Sequence, residues 1–149
     1  MKIEPIGIVH SAVREGVDEN WGQVVSEIHL RPEYADGLIG LQEFSHILVV
    51  YYMDRSTFDA GGDLVRRPQG RTDMPDIGIF AQRAKHRPNP IGITCAKLIE
   101  IEGAIIRVQG LDAIDHTPVL DVKPHFPAFD SPATPQVPAW VNKLMANYF

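Results

Sequence analysis

The apolar segments of this chain are short. The longest, ILVVYYM at residues 47–53, covers seven residues, and glycine, proline and charged clusters separate it from the next. Runs of this length with a β-branched bias form strands, since helices typically need about ten or more residues. Strands are therefore predicted near residues 6–12, 22–30, 46–53, 77–81, 93–102, 104–109 and 119–122. Glu102-Gly103 supplies a tight turn between two of them, because glycine accepts a positive φ at little steric cost. The pattern is that of a mainly β, mostly antiparallel domain.

Helix is expected only at the periphery. LRPEYADGLIGL has Pro32 suited to a first turn and Gly37 or Gly40 to end it. PAWVNKLMANYF places Trp140, Val141, Leu144, Met145 and Tyr148 on one helical face, suited to packing on the body or on a partner subunit. It follows the proline-rich AFDSPATPQVP, so the chain divides into a body over residues 1–130 and a linker with a C-terminal helix over 131–149. The segment 54–76 mixes glycine, proline and both charge signs without a period, and reads as either a functional lid or a disordered loop.

A chain of 149 residues that is 44% hydrophobic can bury one core without disulfides or metals. Its lone Cys95 lies in the apolar run IGITCAKLIEI and is expected as a small buried hydrophobe, consistent with a reducing cytoplasm. Glu4 and Pro5 interrupt the stretch a signal peptide would keep apolar, and no run approaches the roughly 18 residues of a membrane span, so a soluble intracellular protein is expected. A net charge of -5 argues against broad coating of nucleic acid. Any anion site must be local.

One stretch supplies it. AQRAKHRPNPIG at residues 81–92 gathers Arg83, Lys85 and Arg87 beside His86. In HRPNP each proline fixes its own φ and biases the residue before it towards extended backbone, which holds Arg87 and Asn89 out of helix. A guanidinium displayed in this way grips a carboxylate or phosphate bidentately. The alternative is a solvated turn whose arginines pair with acidic neighbours. GLDAIDHTPVLDVKP at residues 110–124 is the complement, with Asp112, Asp115 and Asp121 as acceptors for ribose hydroxyls or an amino group, or simply as turn-shaping residues. Together the two stretches suit a ligand with both charge signs and a hydroxylated sugar.

In order, PIGIVHS at Pro5, GLIGLQEFSHILVV at Gly37, GIFAQRAKHRPNPIG at Gly78 and GLDAIDHTPVLDVKP at Gly110 resemble the TsaA-like, TrmO-type family of S-adenosylmethionine-dependent methyltransferases. The resemblance runs up to Pro127. It implies a small single-domain β-barrel, a homodimer, S-adenosylmethionine as cofactor near the subunit interface, and methylation of N6 of threonylcarbamoyl-adenosine beside the tRNA anticodon. In keeping with a non-Rossmann site, there is no G-x-G-x-x-G after a strand and no P-loop. The resemblance carries cofactor contacts to Phe80, Ala81, Gln82 and Arg83, to His86, Arg87, Pro88, Asn89 and Pro90, to Ile93, and to Gly110, Leu111, Asp112 and Asp115. It extends them to Asp54 and Arg55 and to Trp21 and Gly22. Arginine would hold the methionine carboxylate, aspartate the amino group or ribose, and apolar positions the adenine.

Two departures bear on this reading. Where many relatives have D-G-T-P, this chain has Asp115-His116-Thr117-Pro118, which is strained if the second position needs a positive φ. Larger relatives also continue into a second C-terminal domain thought to help hold tRNA, which bears on the RNA assignment more than on the cofactor. Asp115 and His116 are conceivable bases by chemistry, but base candidacy requires geometry, and no catalytic residue is assigned. Arg66, Arg67 and Arg71 would either touch RNA phosphates or pair internally with Asp59, Asp63, Asp73 and Asp76. The six histidines show no close metal-ligand spacing, so no metal is expected, and Cys95 lacks a nucleophile motif. Three functions stay open: a tRNA adenosine methyltransferase, a methyltransferase for a small molecule or other RNA, and a non-catalytic cofactor-binding module.

Overall fold

The computed structural model describes residues 1–149. The chain forms β1 (Gly7–His10), β2 (Val25–Leu30), β3 (His46–Tyr52), a ribbon of β4 (Val65–Arg66) and β5 (Ile77–Gly78), then β6 (Ile91–Glu102), β7 (Ile105–Gln109) and β8 (Pro118–Pro124). Six of these close into a barrel in the order β1-β2-β7-β6-β3-β8, with every neighbour antiparallel. Alternate residues point inward, so Val9, Ile28, Ile47, Val49, Ala96, Ile106, Val108 and Val119 form a core that is fully shielded from solvent. Each buried aliphatic side chain contributes on the order of 1.5–3 kcal/mol.

Barrels widen with strand number, and about eight strands give an interior that side chains just fill. The barrel here has six. Its lumen is core, and a ligand must bind at an end or on the outside. Antiparallel order decides which end is available. The connections spanning residues 11–24, 53–90 and 110–117 all emerge at one end, while 31–45 and the hairpin at Gly103 (φ +60) lie at the other. Both stretches singled out by their charge therefore share one rim.

Close approach is enforced at that rim by Gly92, which pairs with Tyr51 across β3 and β6. A β-carbon there would fall inside the Tyr51 ring, so only glycine lets the phenol lie flat across β6.

Several expectations change. The 77–81 strand ends at Gly78 and becomes a 3-10 turn at Ile79–Ala81, and LRPEYADGLIGL forms a 3-10 helix over Pro32–Leu38, with Gly40 (φ +87) just beyond it. Cys95 is exposed on the outer face of β6, because the apolar residues of that strand occupy both faces. Partial burial and then Asp130 raise its thiol above the ordinary range, which leaves it a poor nucleophile. The 54–76 segment is ordered. It contains α1 (Ala60–Asp63), capped by the Asp59 carboxylate accepting from the Gly62 amide at 3.0 Å, and it buries Pro68 and Met74. Three of its arginines pair internally: Arg66 with Asp63 at 3.0 Å, Arg67 with Asp76 at 3.4 Å and Arg71 with Asp73 at 2.8 Å. After β8 come α2 (Pro127–Asp130) and α3 (Ala139–Met145). No helix is long and apolar enough to cross a membrane.

Replacing Gly92 with alanine is expected to cost about 2–3 kcal/mol through overpacking against Tyr51. A urea titration reads this as a lower midpoint at unchanged slope.

Candidate functional site

Gly110 (φ +83) turns the chain after β7, and its amide donates to the Val24 carbonyl at 2.9 Å, which carries Asp112 across the open end of the barrel. Gln109 pairs with Lys97, and Thr94 lies further along β6 towards the rim. The Thr94 hydroxyl there donates to Asp112 Oδ1. The same oxygen accepts from the Tyr51 hydroxyl at 3.0 Å, while Oδ2 accepts from the Tyr148 hydroxyl at 2.8 Å. Burial, and then the Asp112 charge, push both phenols far above their ordinary range. Both tyrosines are therefore neutral donors.

Arg83 reaches the same stretch of β6: its guanidinium donates to the carbonyl of Ile93, the residue before Thr94, and its charge reaches the Tyr51 hydroxyl. Phe80 is 77% exposed and Ile93 47% exposed, so this connection and strand carry uncovered apolar surface. Gln82 is buried; its amide nitrogen donates to the Arg66 and Ile77 carbonyls at 2.8 and 2.7 Å, which fixes its orientation and leaves Oε1 as a buried acceptor with no partner. A carboxylate, a guanidinium and uncovered apolar side chains at one rim are the groups that an adenosine carrying an amino acid would require. Asp112 would take the amino group or ribose, and Arg83 the carboxylate.

The other expected contacts fall into two groups. Leu111 is a fully buried core residue beneath Asp112, and Trp21 is buried with its indole N–H donating to the Val17 carbonyl at 2.9 Å. Gly22 abuts Phe149, so both connect to the rim through the C-terminal segment. In the proline loop, Arg87 folds back and donates to the Gln82 carbonyl at 3.0 Å instead of projecting from the turn. His86 Nδ1 donates to the Thr57 carbonyl at 2.8 Å and ties the loop to the 54–76 segment. The Pro90 carbonyl accepts from Met53 at 2.8 Å, and Ala81, Pro88 and Asn89 are exposed. Arg55 donates to the carbonyls of Arg14 at 3.2 Å and Asp115 at 3.5 Å, and Asp54 is exposed beside it.

The two aspartates of the turn divide their roles. Asp115 Oδ1 accepts from the Ser11 amide at 3.1 Å, a bond that lowers its pKa and shapes the turn. Asp121 sits on β8 paired with Lys123 at 2.6 Å, away from the rim. His116 has φ +67, the strained conformation that the family resemblance led us to expect at this position. Sequence reasoning passed over Tyr51, Thr94 and Tyr148. The first two were visible as hydrogen-bonding side chains on the inward face of apolar strands; nothing local marked Tyr148.

Two concavities lie away from Asp112. One of about 380 Å³ is lined by Asp18, Arg71 and Lys143, and one of about 500 Å³ by Leu48, Phe126 and Phe129. Neither joins the two charged loops. We place the candidate site at Asp112, where the 110–117 connection is bonded to Thr94 of β6, one residue from the carbonyl that holds Arg83.

The chain is similar to known proteins over most of its length. A family model described as the tRNA-methyltransferase O N-terminal domain matches residues 18–131. A Methanothermobacter thermautotrophicus protein called a probable S-adenosyl-L-methionine-binding protein is 38% identical over 135 residues, covering 88% of this chain and 94% of its own. The Escherichia coli tRNA (adenine(37)-N6)-methyltransferase is 34% identical over 141 residues, covering 87% of this chain and 60% of its own length. The crystal structure of TrmO from Pseudomonas aeruginosa superposes with a TM-score of 0.73 at 27% identity, over 91% of this chain and 60% of that one.

His116→Gly is expected to stabilise the protein by about 1 kcal/mol by relieving the left-handed strain, read as a higher thermal midpoint. The lowered Asp115 carboxyl adds stability that is present above its unfolded value and lost as pH falls through its depressed folded value. Carboxyl NMR should therefore find Asp115 still charged below about pH 3.9, where an unperturbed aspartate is half protonated.

Proposed function

Because the chain belongs to the family of the tRNA-methyltransferase O N-terminal domain, we propose that it is an S-adenosylmethionine-dependent methyltransferase acting on N6 of adenosine next to the tRNA anticodon, with the threonylcarbamoyl-modified base as the preferred form. The observation that supports this is that Asp112 is bonded to Thr94 and Arg83 to the carbonyl of the adjacent Ile93 at one barrel end, with Ile93 and Phe80 exposed. When bound, S-adenosylmethionine supplies an electrophilic methyl on a sulfonium, and transfer is an in-line displacement that depends on alignment and exclusion of water. Asp112 and Arg83 orient the two ends of that ligand, while Phe80 and Ile93 cover its apolar part. Tyr51 stays protonated and, with Thr94, holds Asp112 in place. Asp115 is committed to the Ser11 amide and the His116 side chain is 66% exposed, so the geometry assigns neither as base.

The RNA reading is supported by the distribution of cations. The long-loop arginines are neutralised by their aspartates, whereas Arg14, Arg55 and Lys85 form no ion pair. All three belong to connections at the same end, and Lys85 Nζ comes within 3.7 Å of the β-carbon position of Gly16. An anticodon loop laid across that end would meet unpaired cations while its splayed base enters the rim. A cytoplasmic location goes with this substrate. The outer face of β6 exposes Ile91, Ile93, Cys95 and Ile99 around Lys97, a mainly apolar surface suited to a homodimer whose interface borders the cofactor rim.

A second reading is a methyltransferase with another acceptor, or a binding module without turnover. It is favoured by the archaeal relative matched over 94% of its length, which is named for binding alone. Labelled methyl appearing in threonylcarbamoyl-adenosine tRNA selects the first reading; labelled metabolite with unchanged tRNA selects the second.

S-adenosylhomocysteine at about 100 times its dissociation constant should stabilise the fold by roughly 2.7 kcal/mol. Arg83→Ala should abolish that shift while leaving a folded protein; a shift of wild-type size removes Arg83 from the site. In sedimentation, Ile99→Arg should convert a dimer to a monomer, and a monomeric wild type refutes the dimer.

A further inference from the structure

The rim is filled by the chain itself. Asp112 is the residue assigned above to the ligand, yet its Oδ2 is already held by the Tyr148 hydroxyl at 2.8 Å, the same donor chemistry a ribose hydroxyl or an amino group presents. We propose that Tyr148 is a resident stand-in for the ligand, and that a nucleoside with an amino-acid tail binds by displacing it and releasing the 139–149 segment. This rests on the reading of Asp112 as a ligand contact.

The segment is built to let go. Helix α3 has seven residues, no buried side chain and no side-chain N-cap. A helix that short is unstable by itself and is held by its docking. The docking consists of the half-buried Trp140, Val141 and Leu144 and a few polar contacts. The Asn20 amide donates to the Asn147 carbonyl at 2.9 Å, the Trp21 amide donates to the Tyr148 carbonyl at 2.8 Å, and Lys143 pairs with Asp73 at 2.8 Å on the surface. Gly22 makes room for the tail, since a β-carbon there would stand 2.6 Å from the Phe149 backbone. Of these holds, only the Tyr148 side chain reaches the carboxylate that the ligand needs. An element with few buried contacts opens at low free-energy cost, and a site occupied by its own chain binds ligand in proportion to the fraction of time it stands open.

The alternative is that the segment closes over the ligand and Tyr148 adds a contact to it. The two predict opposite signs. Under displacement, Tyr148→Phe removes the competing donor, and calorimetry with S-adenosylhomocysteine should show binding tighter by about tenfold, the scale of one hydrogen bond to a charged group. Ligand should also speed hydrogen exchange at the amides of Asn20 and Trp21 in the wild type. Weaker binding in Tyr148→Phe, or slower exchange at those amides on saturation, overturns the proposal. Without ligand, Tyr148→Phe should by itself speed exchange at Asn20 and Trp21; unchanged exchange shows that the hydroxyl is not the hold and overturns the latch independently of any ligand. If wild type and variant both fail to bind, the Asp112 site assignment falls and the displacement falls with it, whereas binding that the variant leaves unchanged refutes displacement alone.

Discussion

Antiparallel closure with six strands is the constraint from which the rest follows. A barrel this narrow fills with its own side chains, so recognition moves to the loops, and strict alternation of direction sends every second connection to the same end. Three connections that lie far apart in the chain thereby meet at one rim without any need to pair with each other. The β6 strand makes the geometry asymmetric. It runs for twelve residues, and the five of β7 pair only with its latter part, leaving the stretch around Thr94 free to receive Asp112.

Burying that carboxylate carries a desolvation cost, which is offset when each oxygen finds donors. Neutral hydroxyls provide them here, from Tyr51 and Thr94 inside the barrel and from Tyr148 outside it. Because the donors are uncharged, the negative charge is not cancelled and still acts at the rim, where Arg83 sits within electrostatic reach. In the 54–76 segment Arg66, Arg67 and Arg71 are neutralised locally by short aspartate pairs. Arg14, Arg55, Arg83, Lys85 and Arg87 form no ion pair and all belong to connections at the Asp112 end, which explains how an acidic protein can keep a cationic site.

Much of this was legible in the sequence, for physical reasons that differ by residue. Short apolar runs with a β-branched bias marked β3 and β6, and Gly103 marked the hairpin, where it takes a positive φ. Barrel closure was implied by the family resemblance and not by periodicity, because the pairing of β1 with β8 joins residues more than a hundred positions apart. The charged loops were recognised, but not which of their members would turn inward. Arg87 braces its own loop because backbone carbonyls lie nearer than any ligand, an outcome that depends on how residues 82–84 fold. Cys95 misled because an apolar outer face and an apolar core face produce the same run of letters.

Tyr148 represents the limit of that legibility. On a helical wheel it belongs to the apolar face with Trp140, Val141 and Leu144, and packing against the body accounts for its place there. The helix ends at Met145, and the Tyr148 amide bonds the Met145 carbonyl at 3.1 Å in the turn that follows. The tail then runs beside residues 20–22, and this pairing, not the amphipathic pattern, aims the phenol at Asp112. A side chain selected by periodicity for burial thus acquires a polar role from a backbone contact made by two distant segments. Because that contact depends on only a few hydrogen bonds at the margin of the fold, it is also the part of the rim most easily exchanged for a ligand.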